Sequence, residues 1–166
     1  MRRDDVSGAL RRWAAAASEI GARRRAIAAI AEKHGLIVIE DDVYGFLAPD
    51  APSPLAVLLA EQVCYVSSFS KSVAPGLRVG FAILPDPLTR RVEAAIRASC
   101  WMGPTLMTEA ICQLIRHGHL DDIVVQRRQE ARQRLDAASG VLSAIAARMN
   151  WKEDRFHLWL PTRDWT

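Results

Sequence analysis

Two short stretches of this chain concentrate side chains that can do chemistry. The first is Glu40-Asp41-Asp42-Val43-Tyr44, carboxylates followed by a phenol. The second is Ser67-Ser68-Phe69-Ser70-Lys71, hydroxyls followed by an amine, with Arg78 seven residues beyond the lysine. Each alone has an ordinary explanation. An acidic pair at the end of a strand suits a hard cation such as Mg²⁺, and a lysine in a serine-rich loop is usually just hydrated. Combined, they supply what neither has by itself. There is an amine that can bond to an aldehyde, a carboxylate that can keep a ring nitrogen protonated and a phenol that can donate to a ring oxygen. Hydroxyls and a guanidinium can hold a phosphate dianion.

That combination is what pyridoxal 5′-phosphate requires. In this reading Lys71 is the catalytic amine, which carries the cofactor and later moves a proton as general base. Asp41 pairs with the pyridinium nitrogen, and Tyr44, three residues on, donates to the ring hydroxyl oxygen. Ser68 and Ser70 donate to the phosphate, and Arg78 pairs with it bidentately. The Pro75-Gly76 pair turns the chain back so that Arg78 reaches the same phosphate. No metal is expected.

Such a set works only if strands end side by side. From Ile20, the residues Ile20, Ile27, Ile30 and Ala31 recur at helical spacing, and Gly35 stands where a C-cap belongs. Leu36–Ile39 is an unbroken apolar run, as in a strand buried on both faces of a parallel sheet, and it leads into the acids. Carboxylates at the end of a buried strand sit where open α/β sheets place their ligands. Pro49, Pro52 and Pro54 break up a loop before a short helix at 55–60, and Val63–Val66 is the next strand. A serine-rich loop closed by Pro75-Gly76 leads to a third strand at Arg78–Leu84. Asp86-Pro87 predicts a helix with an Asp cap and proline at its first position, with Leu88, Val92, Ala95, Ile96 and Ser99 on one face. A second helix from Pro104 buries Leu106, Met107, Ala110, Ile111, Leu114 and Ile115. A third runs from about Leu120 toward Met149 along Leu135, Ala138, Leu142 and Ile145. Phe156–Leu160 alternates like a strand and stops at Pro161. The class is α/β, with helices feeding parallel strands.

The motifs now resemble a known family. Asp41-x-x-Tyr44 followed by Ser68-Phe69-Ser70-Lys71-Ser72-Val73-Ala74-Pro75-Gly76-Leu77-Arg78-Val79-Gly80 is similar to the fold-type I, class I/II aminotransferases. The closer resemblance is to the aminotransferase-like domain of MocR-type regulators, a branch of the GntR transcription factors. It is carried also by Tyr65-Val66-Ser67-Ser68, by Trp101-Met102-Gly103-Pro104-Thr105-Leu106-Met107 and by His157-Leu158-Trp159-Leu160-Pro161. The resemblance implies a partial PLP-dependent transferase fold. Residues 1–19 would be a lead-in, 20–118 part of the large cofactor-binding domain with its mostly parallel sheet, and 119–166 a linking helix and the start of a small domain. It implies amino-group transfer between an amino acid and a 2-oxo acid. The alternative is a ligand-sensing domain of a regulator whose DNA binding is done by a module absent from this chain. A homodimer is implied as well. Family members are longer. They supply a Gly-rich phosphate loop, a ring-stacking aromatic and an Asn-Pro segment ahead of the Asp strand, yet residues 1–19 hold neither Asn nor Pro. The family's substrate-carboxylate arginine would lie beyond Thr166. The expectation is therefore a middle-to-late portion of a longer protein, with little turnover alone.

Composition agrees with a globular domain: of 166 residues, 50% are hydrophobic and 25% charged. No apolar run approaches the roughly 20 residues that span a bilayer, and Arg11, Arg12 and Glu19 interrupt any signal-peptide core. Cys64, Cys100 and Cys112 are odd in number and lack CxxC spacing, which favours reduced thiols in a cytoplasm. Residues 1–34 carry +4 and the rest −1. That bias suits a solvated helix face better than a nucleic-acid contact, and the same holds for Arg127, Arg128, Arg132 and Arg134 around Glu130. Ser68 to Lys71 matches Ser-x-x-Lys of penicillin-binding enzymes formally, but Pro75-Gly76 would end the required helix and the partner motifs Ser-Asp-Asn and Lys-Thr-Gly are absent. His117-Gly118-His119 suits a glycine cap between helices better than a metal pair. Trp101 suits packing better than a substrate entrance.

Overall fold

The computed structural model describes residues 20–48 and 51–142. The lead-in at 1–19, Pro49, the helix beyond residue 142 and the strand expected at Phe156–Leu160 lie outside the described residues.

Helix α1 spans Ile20–His34 and closes as the glycine suggests. Gly35 takes φ 60, its N–H donates to Glu32 O at 3.2 Å, and the Leu36 N–H donates to Ala31 O at 2.9 Å. This Schellman cap satisfies two carbonyls that the helix leaves open. It also consumes the Leu36 N–H, so strand β1 is Val38–Asp41, two residues later than the apolar run implied. The strand therefore contains Glu40 and Asp41 rather than stopping before them.

β1 pairs in parallel with β2, Val63–Ser68, in the register Val38↔Val63 through Asp41↔Val66. The crossover holds a 3-10 turn at Gly45–Leu47 and a one-turn helix α2 at Leu55–Leu58. After β2 the chain forms the one-turn helix α3, Phe69–Ser72, and a second 3-10 turn, Pro75–Leu77. Strand β3, Gly80–Ile83, then runs antiparallel to β2, giving the order β1-β2-β3. β3 is thus the antiparallel member of a sheet expected to be mostly parallel. A parallel return needs a crossover of a dozen or more residues, and 69–79 is too short to supply one. Arg78 was expected inside the strand but adopts the left-handed φ of 53, so the ladder begins at Gly80.

Helix α4 is Asp86–Cys100, α5 is Thr105–Arg116 and α6 is His119–Val141. The N-cap of α4 is Pro85 rather than Asp86. Asp86 lies in the first turn, where its charge still favours the helix N-terminus. Gly118 between α5 and α6 takes φ 73, as a glycine flanked by two histidines suggested.

Ala31, Leu47, Leu55, Val63, Cys64, Val79, Ile111 and Ala131 form the buried core. α6 packs against α5, α3 and the 45–47 turn. Burial departs from the sequence reading at several places. Ile39 on β1 is 73% exposed, so only one face of that strand is covered within the described residues. On α5, Ile111 is buried and Met107 and Leu114 are half-buried, while Leu106, Ala110 and Ile115 face outward. On α4, Leu88 and Val92 are half-buried while Ala95, Ile96 and Ser99 are exposed. Arg24, counted above with a solvated basic face, is 7% exposed and ion-paired to Glu40.

Candidate functional site

Successive strand residues point to opposite faces, and along β1 this separates the acids. Val38 and Glu40 are half-buried, and Ile39 and Asp41 are exposed. Glu40 is structural: it pairs with Arg24 and accepts the Leu55 N–H at 2.7 Å. Asp42 is also engaged. Its N–H donates to Val66 O at 2.9 Å, its carbonyl accepts the Ser67 hydroxyl at 3.2 Å, and its carboxylate accepts the Tyr65 hydroxyl at 2.7 Å. Burial first, and then the Asp42 hydrogen bond, pushes the Tyr65 phenol up to about 12. A Cβ at Gly45 would overlap the Asp42 carboxylate, so a larger residue after Tyr44 would push that side chain off the Tyr65 hydroxyl. Asp41 differs from both neighbours. Its Oδ1 accepts the Val43 N–H at 3.2 Å in an Asx turn that leads to Tyr44, and the side chain faces outward.

The parallel register carries this end of β1 to the matching end of β2. Asp41 pairs with Val66, so Ser68, two residues further, stands on the same face as Asp41. Ser68 is the extended N-cap of α3, and its hydroxyl makes no capping bond there. It pairs with Gly80, where an added Cβ would come within 3.0 Å of Ser67 O. On the opposite face Phe81 packs against Tyr65 and Phe69, with ring centroids 6.3 and 5.7 Å apart.

α3 presents Ser70, half-buried, and Lys71, exposed. The Lys71 Nζ lies 5.9 Å from the centroid of the Tyr44 ring, a cation–π approach. Lys71 and Tyr44 are thus brought together, and Asp41 and Ser68 share a face at the same sheet end. Arg78 is exposed just before β3.

Two residues assigned from the sequence to a solvated face are half-buried and bonded to the fold. Arg127 Nη2 donates to Val73 O at 2.7 Å, just after α3, and Arg128 Nε donates to Phe46 O at 2.6 Å, in the turn after Tyr44. Glu130 accepts from Arg127 and Arg134 at 2.7 and 2.6 Å, and the Arg127 hydrogen bond holds its carboxyl below the usual range. A signal was present. Leu120, Ile123, Val124, Ala131, Leu135, Ala138 and Leu142 form the inward stripe of α6, and positions 127 and 128 fall on it.

Residues 22–160 match the family model described as aminotransferase class I and II. The chain is 30% identical over 144 residues to the uncharacterised HTH-type transcriptional regulator YisV of Bacillus subtilis, covering 83% of this chain and 30% of that protein. It is 32% identical over 134 residues to the mitochondrial kynurenine/alpha-aminoadipate aminotransferase of Bos taurus, covering 75% and 32%. The crystal structure of LysN, an alpha-aminoadipate aminotransferase from Thermus thermophilus complexed with N-(5′-phosphopyridoxyl)-L-leucine, superposes with a TM-score of 0.66 at 27% identity. That match covers 74% of this chain and 33% of that one. The chain thus spans about a third of the length of these relatives.

Proposed function

This chain belongs to the aminotransferase class I and II family, and from that premise we propose that it carries a pyridoxal 5′-phosphate site built on Lys71. The observation that carries the reading is the Lys71 ammonium 5.9 Å from the Tyr44 ring centroid. The donor set fits the cofactor. Among three neighbouring acids, Asp41 is the outward-facing one, so its carboxylate is available to hold a proton at a ring nitrogen, where Glu40 and Asp42 are committed to the fold. Tyr44 can donate to the ring oxygen. The Ser68 hydroxyl is not spent on capping α3, and with Ser70 and the exposed guanidinium of Arg78 it supplies phosphate donors. Lys71 is exposed and forms no ion pair with any described residue, so its amine can bond to an aldehyde and take or return a proton.

When bound, pyridoxal phosphate supplies an electron-withdrawing ring that stabilises negative charge at the α-carbon of an amino acid. The longer protein would then move an amino group between an amino acid and a 2-oxo acid, acting as a homodimer. A second reading is favoured by the relatives named as HTH-type regulators: the same cofactor-binding domain senses an amino compound, and a separate module binds DNA. No helix among the described residues is long and apolar enough to cross a membrane. Three unpaired cysteines support a cytoplasmic setting.

The test is chemical mapping. Pyridoxal phosphate added to the full chain and reduced with borohydride should leave a phosphopyridoxyl mass on the peptide that holds Lys71. The sequence has two other lysines, Lys33 and Lys152. Label on either of those instead removes the assignment.

A further inference from the structure

Consecutive arginines on α6 hold two different turns of the candidate site. Side chains of adjacent helical residues diverge by about 100°, so Arg127 and Arg128 reach to either side of one inward stripe. Arg127 donates to the Val73 carbonyl at the C-terminus of the helix bearing Lys71, and Arg128 donates to the Phe46 carbonyl in the turn that follows Tyr44. Both guanidinium-bearing side chains are half-buried, and Glu130 steadies Arg127 from the next turn of the helix.

We propose that Arg127 and Arg128 are positioning residues that set the Lys71 amine against the Tyr44 ring, with α6 as the rigid bar between the two turns. This rests on the cofactor reading above. α3 and the 45–47 turn are each a single helical turn, and an isolated helix that short does not persist in water. At each a guanidinium holds a backbone carbonyl with a charge-assisted bond. α6 is long, packs against both turns, and carries the two donors at adjacent positions. The spacing between them is therefore set by helix geometry rather than by loop conformation. A displacement of about 1 Å in a reacting group can cost on the order of 10²-fold in rate, so a device of this kind matters for an amine carried on one turn of helix.

The experiment uses Arg127→Met and Arg128→Met in the full chain, with Arg127→Lys and Arg128→Lys as milder replacements if either fails to fold. The probes are pyridoxal phosphate trapped by borohydride at Lys71 and amide hydrogen exchange without cofactor. The Arg128 hydrogen bond lies on the Tyr44 side, yet Arg128→Met should slow trapping at Lys71 roughly tenfold, the rate equivalent of losing one charge-assisted hydrogen bond. It should also speed exchange at both 44–48 and 69–74, as should Arg127→Met. A purely structural role would lower the melting temperature and leave trapping, measured well below that temperature, unchanged. Unchanged trapping, with exchange rising only in the turn each arginine contacts, overturns the proposal. If the unsubstituted chain takes no cofactor at Lys71, the cofactor reading fails instead. Exchange then decides the clamp: loosening of both turns upholds it, and loosening of one alone overturns it.

Discussion

Glu40, Asp41 and Asp42 are adjacent and chemically alike, yet they do different work because alternation and the strand end divide them. Glu40 is tied to Arg24 and the Leu55 N–H, Asp42 to the Tyr65 hydroxyl, and Asp41 faces outward. The Tyr65–Asp42 bond has a measurable consequence. The phenol is raised from 10.0 to about 12, by burial first and then by Asp42. A raised value means that the fold favours the protonated phenol. Its contribution to stability is complete below pH 10 and is lost as the pH climbs toward 12. Tyr65→Phe should therefore remove a high-pH step from the phenolate absorbance titration and flatten the alkaline fall in stability. If the phenolate step lost on substitution lies at the ordinary value near 10 rather than above it, Tyr65 does not make this bond.

At the scale of elements, the first crossover is locked by the Arg24–Glu40 pair, which joins α1 to β1, while the Leu55 N–H binds the same carboxylate and adds the start of α2. Both charged side chains are nearly excluded from water. Deleting one partner of such a pair leaves a buried charge uncompensated, which costs about 3–5 kcal/mol, whereas replacing both by apolar groups is often close to neutral. Arg24→Met should thus lower stability to denaturant strongly, and the double change Arg24→Met/Glu40→Met should recover much of the loss. A double variant no better than the single one would show that the pair is not the source of the effect. The β2–β3 hairpin shows the complementary control by backbone. The chain between those strands is too short to cross over, and Arg78 in the left-handed region ends the turn at the residue proposed to grip phosphate.

For the molecule as a whole, the exposed apolar surface is large. Ile39, Phe81, Ile83, Trp101, Leu106 and Val141 are all open, and both β1 and β3 are edge strands of the described sheet. Unpaired edges and contiguous apolar surface recruit other chains. The 166-residue chain in isolation should therefore self-associate in sedimentation or light-scattering measurements and bind a hydrophobic dye. A dye-silent monomer at every concentration tested would contradict that expectation.

The sequence by itself determined the local features: the α/β order, the capping glycines Gly35 and Gly118, and the pairing of an acid-phenol segment with a serine-lysine segment at two strand ends. Periodicity, turn residues and motif spacing act over a few positions, so they can be read without neighbours. The two strands shifted by about two residues because a cap and a left-handed arginine claimed backbone that the apolar pattern had assigned to them. Only the tertiary structure decided the direction of β3, the engagement of Glu40 and Asp42 in the fold, the burial of Arg24 and the half-burial of Arg127 and Arg128. Each of those depends on which surface a side chain meets after the chain has returned from a distance. Arginine carries the same charge in water and against a carbonyl, and only packing separates the two.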